Sequence, residues 1–302
     1  MSLKQLVPIA ILTTLFSKSL LAETNWEAQI VADNTQQHLS LIEAIKELKW
    51  EFGSVVAGTT YLGLDNWNWG SSNTFKTVNE GWFGTDTGSA GADKLGHMYS
   101  TYLMNELFTK RLIDKGYSPK EAARNGALLA GGIMLWVEAF DGYSVDHGFS
   151  YEDVVLNTTG IGISYLKNTV PGLDDKIDLR VEYHPTEEHG DHPIIDYSGY
   201  TYSGVLKLGG FERLQNTPLK YVELQLGYHT EGFKKNEEKH YNEKKTELQL
   251  AIGLDLSEVL FKPAKRYTES DWIDYADTFF RYYQMPGTYI PTTLNERTVP
   301  YR

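Results

Sequence analysis

The chain has 302 residues, of which 41% are hydrophobic and 23% are charged, which is ordinary usage for a folded protein and excludes wholesale disorder. Its 40 acidic side chains outnumber the 28 basic ones, and the formal net charge of -12 excludes a protein that binds nucleic acid through its overall charge. The sequence has no cysteine, which excludes disulfides, thiol nucleophiles, cysteine-ligated zinc and a lipid-modified N-terminal cysteine within these residues.

Residues 1–22 have the pattern of an export signal. A basic residue, Lys4, precedes a short apolar stretch, and the small residue Ala22 stands at the expected cleavage position. The apolar stretch is shorter than the roughly 20 residues that a membrane-spanning helix needs. We therefore expect a protein that is exported to the periplasm or outer membrane of a Gram-negative cell. An uncleaved N-terminal helix is the alternative interpretation.

Residues 23–175 are predicted to form a helical domain. Apolar side chains recur there at helical spacing, and Ser118 and Ser150 stand where helix N-caps are expected. Residues 65–92 are rich in glycine, serine, asparagine and tryptophan, which indicates an ordered aromatic loop. The predicted helices span residues 39–61, 93–112, 119–140 and 151–167.

Residues 176–302 are predicted to be strand-rich, because the hydrophobic period changes there to two. Residues 221–228 and 246–256 alternate apolar and polar side chains, as in two half-buried strands of a hairpin. Residues 177–184 and 200–208 are weaker strand candidates, and an amphipathic aromatic segment and an extended end follow. The predicted fold class is α+β, with a compact bundle of about four helices followed by a small antiparallel β-sheet.

A set of polar residues stands at the ends or on the apolar faces of the predicted helices. Asp93 and His97 are four residues apart and share a helix face. Because a histidine beside a carboxylate is oriented by it, His97 is a candidate general base or metal ligand. Buried charges are costly unless they are paired, so these groups, if buried, should meet one another. The candidate site comprises Asp93, Lys94, His97, Glu138, Asp141, Asp153 and Asn157.

If the protein is an enzyme, the expected reaction is hydrolysis or transfer at a phosphoryl or acyl centre. Asp93 would orient His97, and Lys94 would offset the anionic charge of a substrate. Glu138 and Asp141 would act as acids or as ligands of a divalent metal whose identity is open, and no cofactor is certain. Asp153 and Asn157 would complete the substrate-binding part of the site, behind the groups that contact the substrate directly.

Each of these residues also has a structural interpretation. Asp153 follows Ser150 by three residues and could be the acid of a capping box. Glu138 and Asp141 could be solvated at a helix C-terminus, although acids there oppose the helix dipole. Asp93 could be only an N-cap and His97 a core histidine. Residues 184–192 hold three histidines and three acids, which fit either adventitious zinc or copper binding or a solvated linker.

The motif Asp93-Lys94-x-x-His97 lies in a stretch, residues 91–100, that resembles the uncharacterised family called domain of unknown function 2279, the YfiM-like predicted envelope proteins. Residues 138–144, 149–160 and 196–202 support the resemblance. The order Asp-Lys-x-x-His, Glu, then Asp-x-x-x-Asn-x-x-Gly is also similar to the VanZ-like membrane family, which is linked to glycopeptide tolerance. Residue by residue, the resemblance points to the same seven candidate residues.

We therefore expect a cell-envelope protein, periplasmic or associated with the outer membrane, that acts on lipid or cell-wall material. One alternative is a non-enzymatic protein whose polar cluster is a buried hydrogen-bond network. Another is a protein whose strands and aromatic tail insert in the outer membrane as part of an oligomer. The expected partners are lipid, glycan or an outer-membrane protein and not nucleic acid, and the oligomeric state is open.

Overall fold

A computed structural model of the chain describes residues 39–268 and 270–301. The predicted export signal, residues 1–22, lies outside the described residues. The chain divides into two compact units, one formed by residues up to Glu80 together with Ser100–Pro171, and the other by Gly81–Tyr99 together with the residues from Gly172 onward. The first unit is helical and the second is strand-rich, which confirms the predicted α+β class.

The helical unit contains helices joined by loops and one short parallel strand pair. The strands β1 (Thr77–Val78) and β2 (Phe149–Ser150) are paired in parallel. The unit division falls within the third helix, after Tyr99. In the described part of the chain, no helix is both long enough and apolar enough to span a membrane. The helices are α1 (Leu41–Glu47), α2 (Lys49–Asn66), α3 (Ala92–Asp114), α4 (Pro119–Asp141) and α5 (Tyr151–Thr169).

The first predicted helix, residues 39–61, is two helices in the structure. Ser40 caps α1 in a complete capping box with Glu43. The chain leaves helical geometry at Leu48, where φ is -103° and ψ is 22°, and α2 starts at the next residue and continues to Asn66. The side chain of Leu48 is fully buried. The apolar spacing is continuous through this break, so periodicity alone does not reveal it.

Helix α4 begins as predicted, at Pro119, with Ser118 as its N-cap. The Ser118 hydroxyl accepts a hydrogen bond from the backbone N–H of Glu121. The carboxylate of Glu121 instead accepts from the backbone N–H of Leu39, at 3.1 Å, so it joins the helix to the start of the described chain. Gly126 on α4 allows a close approach to α3, because a Cβ at this position would lie 2.6 Å from the hydroxyl of Thr109.

The strand-rich unit is built on a five-stranded antiparallel sheet with its strands in chain order. The four predicted strands are present, and the predicted extended end forms a fifth, β7. Its prolines are tolerated because β7 is an edge strand. The predicted aromatic segment is helix α7 (Asp271–Tyr282), which follows the short helix α6 (Lys262–Lys265). The strands are β3 (Ile177–Tyr183), β4 (Tyr200–Lys207), β5 (Val222–Glu231), β6 (Glu243–Leu254) and β7 (Tyr289–Pro300).

The alternation along the strands places polar side chains on the buried face of the sheet. On β5, Glu223 and Gln225 are buried, whereas Leu224 and Leu226 are 37% and 51% exposed. The buried charges are paired. Arg180 on β3 lies 2.5 Å from Glu223, and other pairs link β3 to β4 and α7. Pairing offsets the cost of burying these charges.

Candidate functional site

The first turns of α3 carry the motif that the sequence singles out. The helix begins at Ala92, directly after Gly91, whose φ of 88° lies in the left-handed region. A Cβ on Gly91 would lie 2.2 Å from the ring of Phe83, so a larger residue would displace this turn. Asp93 is therefore the second residue of the helix and not its N-cap.

The carboxylate of Asp93 is surrounded by hydrogen-bond donors and cations of the strand-rich unit. The Tyr197 hydroxyl donates to its Oδ1 at 2.6 Å, and the Lys94 ammonium lies 3.5 Å from its Oδ2. A ring nitrogen of His97 lies within 4.8 Å of a carboxylate oxygen of Asp93. The side chain of Asp93 is 19% exposed. The predicted pairing of Asp93 with His97 on one helix face is present.

These neighbours keep Asp93 ionised. Burial alone raises its pKa, but the charges of His97 and Lys94, the hydrogen bond from Tyr197 and the charge of Lys234 together hold the pKa of Asp93 well below its usual range. Asp93 can therefore orient the imidazole of His97 as a fixed negative charge.

Lys94 is directed at Asp93 and not at open solvent. Its side chain is only 2% exposed. Its contact with a substrate stays a prediction, because a buried ammonium would have to leave this pair to meet a ligand.

In the helical unit, Glu138 and Asp141 are held at the C-terminal end of α4. Glu138 is 1% exposed and accepts a hydrogen bond from the backbone N–H of Ser150 at 3.3 Å. Asp141 accepts from the indole N–H of Trp69 at 2.6 Å. Glu138 is thus not solvated. The hydrogen bonds to Glu138 and Asp141 offset part of the unfavourable interaction between these acids and the negative end of the helix dipole.

Asp153 and Asn157 are buried on one face of α5. The Ser150 hydroxyl accepts from the backbone N–H of Asp153, but the N–H of Ser150 is directed at Glu138. The carboxylate of Glu138 thus accepts the hydrogen bond that Asp153 would accept in a capping box. Asn157 accepts from the hydroxyl of Thr101 at 2.8 Å. A joint action of these residues with Asp93 and His97 stays a prediction.

A cleft in the strand-rich unit is a feature that the sequence does not reveal. It has a volume of about 600 Å³ and is lined by three lysines. Lys234 also lies 4.1 Å from the ring centroid of Tyr197, the residue that donates to Asp93. Lys234 therefore connects the surroundings of Asp93 with the cleft. The lining includes Thr85, Asp86, Phe233, Lys234, Lys235, Glu238, Lys244 and Tyr301.

The histidines of residues 184–192 face different partners. His184 lies 2.9 Å from Glu182, His192 lies 3.6 Å from Asp191, and His189 lies 3.3 Å from the carbonyl oxygen of Lys235. Adventitious binding of zinc or copper by this segment stays a prediction.

His229 on β5 is expected to make stability depend on pH. Burial lowers the pKa of His229, but hydrogen bonds to Glu231 and to the carbonyl of Tyr200 outweigh it and raise this pKa above 6.5. The same bond from His229 lowers the pKa of Glu231 below 4.5. The His229–Glu231 pair should contribute about 1 kcal/mol to the free energy of unfolding between pH 4.5 and 6.5. This contribution is lost above that window as His229 deprotonates and below it as Glu231 is protonated.

Urea unfolding of His229→Gln from pH 4 to 9 checks this expectation. The variant should lose stability relative to the wild type only inside the window. A wild-type profile that is already flat across pH 6 to 8 would contradict the assigned role.

Comparison with known proteins identifies one family. Residues 79–169 match the family described as predicted periplasmic lipoprotein (DUF2279), which confirms the resemblance over this segment and supports an envelope location. No curated protein and no solved structure matches the chain. The matched segment contains all seven candidate residues, from Asp93 to Asn157. This segment is therefore similar to the family called domain of unknown function 2279.

Proposed function

We propose that the protein is an exported cell-envelope protein that binds anionic lipid or cell-wall material in the lysine-lined cleft and acts on it through His97. The observation that carries this proposal is the position of Lys234, which lines the cleft and also contributes to the electrostatic environment of Asp93. Three lysines at one cleft are a local positive excess in a chain whose net charge is -12. Such a cleft favours an anionic group.

The proposed reaction is hydrolysis at an acyl or phosphoryl centre. His97 takes a proton from water, and the resulting hydroxide attacks the reacting carbon or phosphorus. The ester bond to the leaving oxygen breaks, and the imidazolium of His97 returns the proton to that oxygen. Asp93, kept ionised, orients His97 and stabilises the imidazolium. Lys234 and Lys244 hold the anionic group of the substrate.

The remaining candidate residues have supporting roles in this proposal. Lys94 keeps Asp93 ionised and could meet the substrate only after leaving that pair. Glu138 and Asp141 are the proposed acids or ligands of a divalent metal. Asp153 and Asn157 hold α5 in place beside them.

A second candidate function is structural, and the hydrogen bonds of the helical unit favour it. Glu138 accepts from Ser150, Asp141 from Trp69 and Asn157 from Thr101, which join α3, α4, α5 and the segments that precede α3 and α5. In that case these residues fix the packing of the helices, and the protein binds its partner without altering it.

Removing cleft lysines is expected to weaken the binding of a phosphate group. The double variant Lys234→Gln/Lys244→Gln loses two charged donors, so binding of dihexanoylphosphatidylglycerol should weaken at least about tenfold. Isothermal titration with the purified protein, below the micelle concentration of this lipid, measures the change. Lys120 is an exposed lysine of the helical unit, and Lys120→Gln is the matched control.

The substitution His97→Ala separates binding from chemistry. It should abolish release of fatty acid or glycerol phosphate from the same lipid while binding stays within about threefold of the wild type. Binding that is unaffected by the lysine variant would overturn the assignment of the cleft. Intact binding without hydrolysis in the wild type would favour the structural function.

A further inference from the structure

The sheet of the strand-rich unit exposes a continuous apolar face on three of its strands, β5, β6 and β7. Leu206, Leu224, Ile252 and Ile290 are opposite one another on β4, β5, β6 and β7 and therefore share one face. A second row contains Leu226 and Leu250, and Leu254 follows at the end of β6. The outward side chains are exposed by 37% for Leu224, 51% for Leu226, 45% for Leu250, 60% for Ile252, 48% for Leu254 and 77% for Ile290. We call these six residues the apolar face.

The apolar face contains no charged side chain. The neighbouring charges of the sheet, Arg180, Glu223 and Lys207, are on the opposite, buried face. A typical protein interface has about one hydrogen bond per 100–200 Å² and a polar rim. The two rows contain only Thr292 as a polar side chain, so their chemistry fits a hydrocarbon surface better than a protein partner.

One end of the apolar face has residues typical of a membrane interface. Leu219 and Tyr221, just before β5, are 46% and 37% exposed. The ammonium of Lys220 lies 4.8 Å from the ring centroid of Tyr221. Tyrosine and lysine are enriched where proteins meet lipid headgroups, because the ring enters the interface and the ammonium reaches a phosphate.

The size of the apolar face also distinguishes lipid from a second copy of the chain. The six side chains leave on the order of 500 Å² accessible, which is at the upper end for a monomer. A stable dimer buries about 800 Å² per partner. A bilayer has no such threshold, because each inserted side chain adds its own transfer free energy.

We propose that the apolar face docks on the surface of a phospholipid bilayer, with Leu226, Ile252 and Ile290 in the acyl region and Tyr221 at the headgroups. This inference goes beyond the proposed function and does not depend on it. The lysine-lined cleft lies at the other end of the same strands, at Gly232, Lys244 and Pro300.

Because the sequence has no cysteine, a single introduced cysteine can report on the apolar face directly. Ile252→Cys is labelled with the environment-sensitive fluorophore NBD and mixed with vesicles of dioleoylphosphatidylcholine. We expect a blue shift and at least a twofold rise in emission as the probe enters hydrocarbon. Ile42→Cys in the helical unit, where Ile42 is 67% exposed, is the matched control and should show neither change.

Flotation of the unlabelled protein with the same vesicles gives the second measurement. Leu226→Gln/Ile252→Gln should lower the vesicle-bound fraction at least about tenfold. Ile42→Gln should not change it, and circular dichroism verifies that each variant is folded. A blue shift without vesicles that grows with protein concentration would identify a second copy as the occupant and overturn the proposal. The absence of any shift at position 252 would overturn it as well.

Discussion

Replacing Arg180 with methionine is expected to lower the free energy of unfolding by about 3–5 kcal/mol. Arg180 and Glu223 are 5% and 0% exposed, and their charged atoms are 2.5 Å apart. Burial raises the pKa of Glu223, and the Arg180 guanidinium counteracts that effect. Without Arg180, the carboxylate keeps a hydrogen bond from Gln225 but has lost its buried counter-charge. Urea unfolding followed by circular dichroism measures the loss.

The pH dependence of this variant supplies an internal check. A carboxyl group whose folded pKa is raised gains stability as the pH falls through that pKa, because the protonated form is the one that tolerates burial. Arg180→Met should therefore recover part of its lost stability between pH 7 and pH 5. The wild type should gain less over the same range.

The double variant Arg180→Met/Glu223→Leu is the matched control. It removes both charges and leaves an apolar pair of similar volume, so it should be more stable than Arg180→Met alone. A double variant as unstable as the single one would show that Arg180 acts through its packing and its hydrogen bond to Gln284, and not through its charge.

The strands show what hydrophobic periodicity can and cannot predict. The alternation along β5 and β6 predicted two strands and the pairing of apolar residues on one face. It could not predict that this face is exposed, because that depends on charges elsewhere in the sequence. Arg180, which neutralises Glu223, stands 43 residues earlier in the sequence and on a different strand. Lys207 similarly pairs with Asp178 on another strand.

The candidate site was predictable to the extent that it is local. Asp93 and His97 share a helix face because they are four residues apart, and spacing alone predicts this. The cleft was not predictable, because its lining combines Asp86 with Lys234 and Tyr301, which the fold brings together from distant parts of the chain. β7 was missed because its prolines and polar residues are uncommon in strands away from a sheet edge.

Removing Glu106 is expected to have the largest effect in the helical unit. Glu106 on α3 and Lys167 on α5 are 3% and 0% exposed, and their charged atoms are 2.8 Å apart. The carboxylate also accepts from the hydroxyl of Ser164 and the amide of Asn168, at 2.7 and 2.6 Å. Glu106→Leu therefore removes the acceptor of three donors at once. We expect it to lower the free energy of unfolding by about 5 kcal/mol.

Lys167→Met should be milder, at about 3 kcal/mol, although it breaks the same ion pair. It leaves Glu106 with its two neutral donors, whereas Glu106→Leu leaves Lys167 with the Tyr102 hydroxyl, at 2.7 Å, and without its counter-charge. The double variant Glu106→Leu/Lys167→Met should be more stable than Glu106→Leu alone, because no buried charge is left without its counter-charge. Chemical unfolding of the three variants gives this order. If Lys167→Met were the least stable, the ammonium and not the carboxylate would be the group on which the packing of α3 against α5 depends.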